Sequence, residues 1–205
     1  MLSQMLGHVV EMFIFPVPLV GYLVLMRMDK TLSQYGFTSF LVIILLFHFL
    51  SSSEVFATTT MFGALTMVMS YVIFGSESRY HIIGIAKEIA SAYLLLAVLL
   101  APYLYYVFAQ GLPNAFYPAT AYSNDVLTFL VPPPVVFVGG HPLSSITRHF
   151  LETASWWEEA GYLGPALWLI LCFFAWSYWR TEAGKLLVLS FTLIAVMSLG
   201  PTLHF

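Results

Sequence analysis

Charge is what this chain has least of. Only 8% of its 205 residues are Asp, Glu, Lys or Arg, against roughly a quarter in a soluble domain, so a solvated surface on every side is excluded. The formal net charge is −3, and no basic run stands anywhere in the chain. A nucleic-acid partner is therefore not expected. Cysteine occurs once, at Cys172 inside an apolar run, which rules out a disulfide framework and leaves the redox compartment unspecified. The N-terminus lacks the basic start, short apolar core and small-residue cleavage site of a signal peptide. Arg27 follows the first apolar run rather than preceding it, so that run reads as a retained span. Internal repeats and low-complexity tracts are absent too.

What is present is apolar: 60% of the residues are hydrophobic and 17% aromatic. Crossing a hydrocarbon layer of about 30 Å takes about 20 helical residues at ~1.5 Å each, and the chain supplies several such runs. The expectation is an all-α integral membrane protein with six spans, near residues 9–26, 37–50, 55–74, 85–108, 162–179 and 186–199. Pro16 and Pro18 should kink or break the first. Ser51-Ser52-Ser53-Glu54 leaves room only for a tight helical hairpin between the second and third. The polar segment 75–85, with Arg79 and His81, reads as a loop. Tyr103, Tyr105 and Tyr106 form an aromatic belt at headgroup level near the end of span four. This gives a four-helix section over 1–110, a long loop over 111–161 containing short amphipathic helices, and a two-helix section over 162–205.

Six of the seven Lys and Arg residues then fall on one face. Arg27 and Lys30 lie between spans one and two, Arg79 and Lys87 around the start of span four, and Arg180 and Lys185 between spans five and six. Only Arg148 lies opposite. The positive-inside rule places the three cationic connections in the cytoplasm. Both termini, the 51–54 hairpin and the long loop then face outward. Neither end carries a polar domain or tail, which suggests a section of something longer.

Several stretches together carry a resemblance: HFLSSSEVFATT at the hairpin, APYLYY, YSNDVLTFLVPPP, EEAGYLGPALWLI at the opening of span five, and the closing MSLGPTLHF. They resemble the interior of bacterial polytopic membrane proteins of the GT-C glycosyltransferase superfamily. The similarity runs along nearly the whole chain in short, partly hydrophobic motifs. It implies a bacterial inner membrane, and a lipid-linked sugar, usually on polyprenyl phosphate, transferred at the outer face. Such enzymes carry their key acid on a first external loop after the first span. Here the first loop is cytoplasmic on charge grounds, so that acidic loop has no counterpart.

The residues that could carry chemistry sit mainly on the outward side. Glu54 is either a general base orienting an acceptor hydroxyl or the return arm of a capping box, Ser51-x-x-Glu54, opening the third span. Asp125 either caps a short helix that Pro132-Pro133-Pro134 ends, or binds a metal or sugar. His141, His149 and Glu152 are candidate substrate ligands. His149-x-x-Glu152 also suits a divalent metal, but no third ligand stands at a recognisable spacing, so neither a metal site nor any other cofactor is assigned. Residues 143–157, ending in Trp156-Trp157, suit an amphipathic helix lying on the outer leaflet. On it Arg148 is either a ligand for a lipid-linked phosphate or a surface partner of Glu152. Within the spans, Glu11 and His48 are costly polar groups; for His48 the expected partner is Ser51 or Ser52. The competing class is a non-catalytic subunit whose partners are membrane lipids and other membrane subunits.

Overall fold

The computed structural model describes residues 14–110, 126–132 and 162–199. The chain divides into two units, Met1–Leu112 and Pro113–Phe205, and among the described residues both are built from helices alone.

In the first unit four helices follow one another: α1 (Pro16–Met28), α2 (Gln34–Ser51), α3 (Ser53–Ile73) and α4 (Ser76–Ala109). By length and composition α2, α3 and α4 could each cross a membrane, as an integral membrane protein requires. The two prolines do not break α1. Pro16 opens it and Pro18 lies in its first turn, where backbone N–H groups have no intrahelical acceptor and a missing one costs nothing. The helix ends at Asp29, and Lys30 takes a left-handed backbone, φ 57°. There it closes the turn by donating its N–H to the Arg27 carbonyl.

The segment 75–85 is not a loop. α4 begins at Ser76 and continues unbroken for 34 residues, about 51 Å at ~1.5 Å per residue. The reason is periodicity. Ile82, Ile85 and Glu88 fall at helical spacing on the same buried face as Ala92, Leu96 and Leu100, so the polar residues mark a helix reaching past the apolar stretch. Arg79 folds back, donating to the carbonyls of Phe74 and Val72 at the end of α3 and resting on the Tyr71 ring. It thereby satisfies acceptors that the helix end leaves open.

The core of this unit lies between α2 and α4. Phe37, Leu41 and Leu45 of α2, spaced by four, pack with Ile85, Ala92, Leu96 and Leu100 of α4, and Leu23 of α1 joins them. The two helices run the same way, since Phe49 meets Tyr103 near their C-terminal ends, ring centroids 5.9 Å apart. α3 returns antiparallel and has no buried residue. Four of its hydroxyls are satisfied internally: Thr58, Thr59, Thr60 and Ser70 each donate to the carbonyl four residues back. That bonding suits an environment without water.

In the second unit, α5 (Gly164–Tyr178) and α6 (Glu182–Met197) form an antiparallel hairpin, with Trp168 edge-on to Phe191. α6 begins four residues before the expected span because Thr181 caps it, accepting from Gly184 N–H and donating to the Tyr178 carbonyl. The short helix expected after Asp125 is a single 3-10 turn, Val126–Phe129. Its Phe129 carbonyl accepts from the Trp168 indole at 3.0 Å. The remainder of the long loop, with the amphipathic helix expected over 143–157, lies outside the described residues.

Candidate functional site

The short connection between α2 and α3 is built around one residue. Ser52 has an extended backbone, and its N–H donates to the His48 carbonyl at 2.9 Å, closing α2. Its side-chain oxygen accepts from Val55 N–H at 3.3 Å, opening α3. One serine thus serves both helix ends, so the hairpin needs no further linking residue. This corrects the capping box expected from Ser51: Ser51 is the last residue of α2, and Glu54 stands one position too early to return to the cap. Its carboxylate has no hydrogen bond or ion pair among the described residues, and it is exposed. Among the described residues its one structural contribution is as an acid in the first turn of α3, where the helix dipole favours it.

Around the hairpin lies a cluster of rings. Phe56 of α3 sits edge-on to both Phe49 and His48, at 5.4 and 6.0 Å between centroids. It also meets Tyr93 of α4 at 6.1 Å, and the Tyr93 hydroxyl shares a 2.8 Å hydrogen bond with Thr60. Tyr103, Tyr105 and Tyr106 are all exposed near the same end. The hairpin end therefore carries an exposed carboxylate in the first turn of α3, while the aromatic cluster packs on the inward side of the same helix. An exposed carboxylate can accept a proton from a hydroxyl brought to it.

His48 departs from expectation. It is wholly buried, and neither ring nitrogen has a hydrogen-bond partner among the described residues. Neither Ser51 nor Ser52 reaches it, since the Ser52 side chain is committed to Val55.

At the opposite end of the first unit is a pair that sequence reasoning missed. Arg27, in the last turn of α1, donates through Nε and Nη2 to the two carboxylate oxygens of Glu88, at 2.7 and 2.6 Å. Its Nη1 reaches the Leu32 carbonyl at 3.4 Å. The Glu88 side chain is only 9% exposed. In such surroundings a bidentate pair is strong; deleting Arg27 strands a nearly buried carboxylate, at up to roughly 3–5 kcal/mol, whereas deleting Glu88 strands a more exposed arginine and costs less. The available signal was Glu88 standing in register with Ile85 and Ala92 on the buried face of α4, where an acid needs a partner.

Of the other candidates, Asp125, His141, Arg148, His149 and Glu152 lie outside the described residues, as does Glu11. Among the described residues no cluster of three or more His, Cys, Asp or Glu could hold a metal ion. Comparison with protein-family models, with curated proteins and with solved structures found no match.

Proposed function

We propose that this chain is a membrane glycosyltransferase-like protein, or a section of one, that uses a lipid-linked sugar at the face bearing the α2–α3 hairpin. That face is the outer one in the orientation favoured by the positive-inside rule, in an inner membrane of bacterial type. The observation that carries the reading is the exposed carboxylate of Glu54 at the hairpin, left out of the cap that Ser52 forms and without a partner among the described residues.

Glu54 acts as general base. It takes the proton of an acceptor hydroxyl while the hydroxyl oxygen bonds to the sugar's anomeric carbon; the bond from that carbon to the phosphate oxygen breaks, and its electron pair leaves with the polyprenyl phosphate. This requires the hydroxyl within about 2.6–3.2 Å of the carboxylate in the bound state. Arg148 is the proposed contact to the donor phosphate, with a surface pair to Glu152 as its alternative. Asp125, His141 and His149 are candidate sugar contacts.

The test is transfer from a polyprenyl phosphate sugar by the membrane-reconstituted protein that carries this chain. Glu54→Gln preserves shape and removes the base, so turnover should fall about 10²–10⁴-fold with helicity and melting unchanged. Unaltered turnover would dismiss the role. One observation favours a second reading, a non-catalytic subunit: α3 buries none of its residues, leaving a whole helix face for a partner helix or lipid. That reading gains if neither the parent nor the variant shows transfer.

A further inference from the structure

We propose that the Arg27–Glu88 pair is a register lock, which selects one axial position of α4 against α1 and α2 and so positions the aromatic cluster at the far end of the unit. The need for a lock follows from the two faces that meet. α2 presents Phe37, Leu41, Leu45 and His48, and α4 presents Ile82, Ile85, Glu88, Ala92, Leu96 and Leu100. Both ladders repeat mainly at four residues with side chains of similar kind. A slip of one helical turn, about 5.4 Å, would exchange apolar for apolar at most contacts.

Lipid adds to the ambiguity. Helices in a bilayer gain no hydrophobic drive from meeting one another, so two well-matched apolar ladders discriminate poorly between adjacent registers. A buried charge pair discriminates sharply. Two hydrogen bonds with a fixed fork geometry hold Glu88 to Arg27, and the third donor fixes Arg27 to the Leu32 carbonyl of the α1–α2 turn. A slip of one turn would carry the Glu88 carboxylate about 5.4 Å from its present place and break the two-bond fork as it stands. The device is the membrane counterpart of a single buried polar residue setting coiled-coil register.

The consequence is felt at a distance. Tyr93 and Tyr103 lie five and fifteen residues beyond Glu88 on the same helix, the second about 22 Å away at ~1.5 Å per residue. Register set at Glu88 decides whether Tyr103 meets Phe49 and whether Tyr93 reaches Thr60. Arg27 and Glu88 are positioning residues. The lock holds whatever chemistry the hairpin end performs, so it stands apart from the sugar-transfer reading.

The experiment measures register directly. In a Cys172→Ser background, Phe49→Cys and Tyr103→Cys are joined by a short bifunctional thiol reagent in the membrane-reconstituted protein. The parent should crosslink readily. Glu88→Ala and Arg27→Ala should each slow crosslinking roughly tenfold, because an unpaired buried charge disfavours the native packing. Glu88→Gln, which keeps hydrogen-bonding capacity, should fall between. The charge exchange, Arg27→Glu with Glu88→Arg, should recover the parent rate to within about threefold, since the pair is restored with its partners swapped. If an alanine variant fails to insert, Glu88→Gln and the exchange still decide. Parent-like crosslinking in Glu88→Gln and in each alanine variant that inserts would overturn the lock, as would an exchange no better than the single variants.

Discussion

A buried imidazole with neither nitrogen satisfied is expensive to keep. Among the described residues His48 is in that position, and each stranded polar group costs about 1–3 kcal/mol. Replacing it by an apolar side chain of similar volume removes that cost while retaining the packing against Phe56. His48→Leu should therefore melt higher in detergent than the parent, by an amount matching about 1–3 kcal/mol. A loss of more than about 1 kcal/mol would mean that the imidazole holds a water or another group that the substitution strands. Glu54 presents the opposite case, an exposed acid whose removal should leave the fold intact.

At the scale of elements, the hairpin of α5 and α6 turns on Gly184. A Cβ built there would run into the Tyr178 carbonyl and would stand 2.8 Å from the Thr181 hydroxyl oxygen that caps the helix. Helix propensity alone would make alanine better than glycine by about 1 kcal/mol, so the sign of the effect separates the two influences. Gly184→Ala should lower thermal stability by about 1–3 kcal/mol through overpacking of backbone; an unchanged or higher melting temperature would contradict this geometry. Helix existence was legible in the sequence because hydrophobic runs of membrane length are a strong signal, and α2, α3 and α4 stand where runs were expected. Helix ends were less legible. Segment 75–85 reads as loop on polarity, yet the spacing of Ile82, Ile85 and Glu88 extends α4 through it. At the 51–54 hairpin a one-residue shift of the cap, from Ser51 to Ser52, takes Glu54 out of the expected capping box. Local serine chemistry is nearly the same at each position, and only the backbone decides between them. The Arg27–Glu88 pair joins residues 61 apart, a separation at which one-dimensional patterns show a need for a partner without saying which.

For the molecule as a whole, the broad apolar exposure of the helices fits a lipid solvent. Trp176, Leu169 and Phe173 of α5 and Val98 and Leu94 of α4 are each about 70% exposed or more, surfaces that water would penalise and hydrocarbon would not. Everything proposed for Glu54 requires the hairpin to face outward, because a lipid-linked donor used at the outer leaflet never meets an acid on the inner one. The most direct measurement is labelling of intact cells by a membrane-impermeant thiol reagent, with single cysteines in a Cys172→Ser background. Ser53→Cys, exposed beside Glu54, and Tyr80→Cys, at an exposed position in the cationic first turns of α4, lie at opposite ends of the unit. The expected result is that Ser53→Cys labels in intact cells, whereas Tyr80→Cys labels only after the membrane is permeabilised. The reverse pattern would put the hairpin on the cytoplasmic side, and equal labelling of both in intact cells would contradict a membrane-crossing α3.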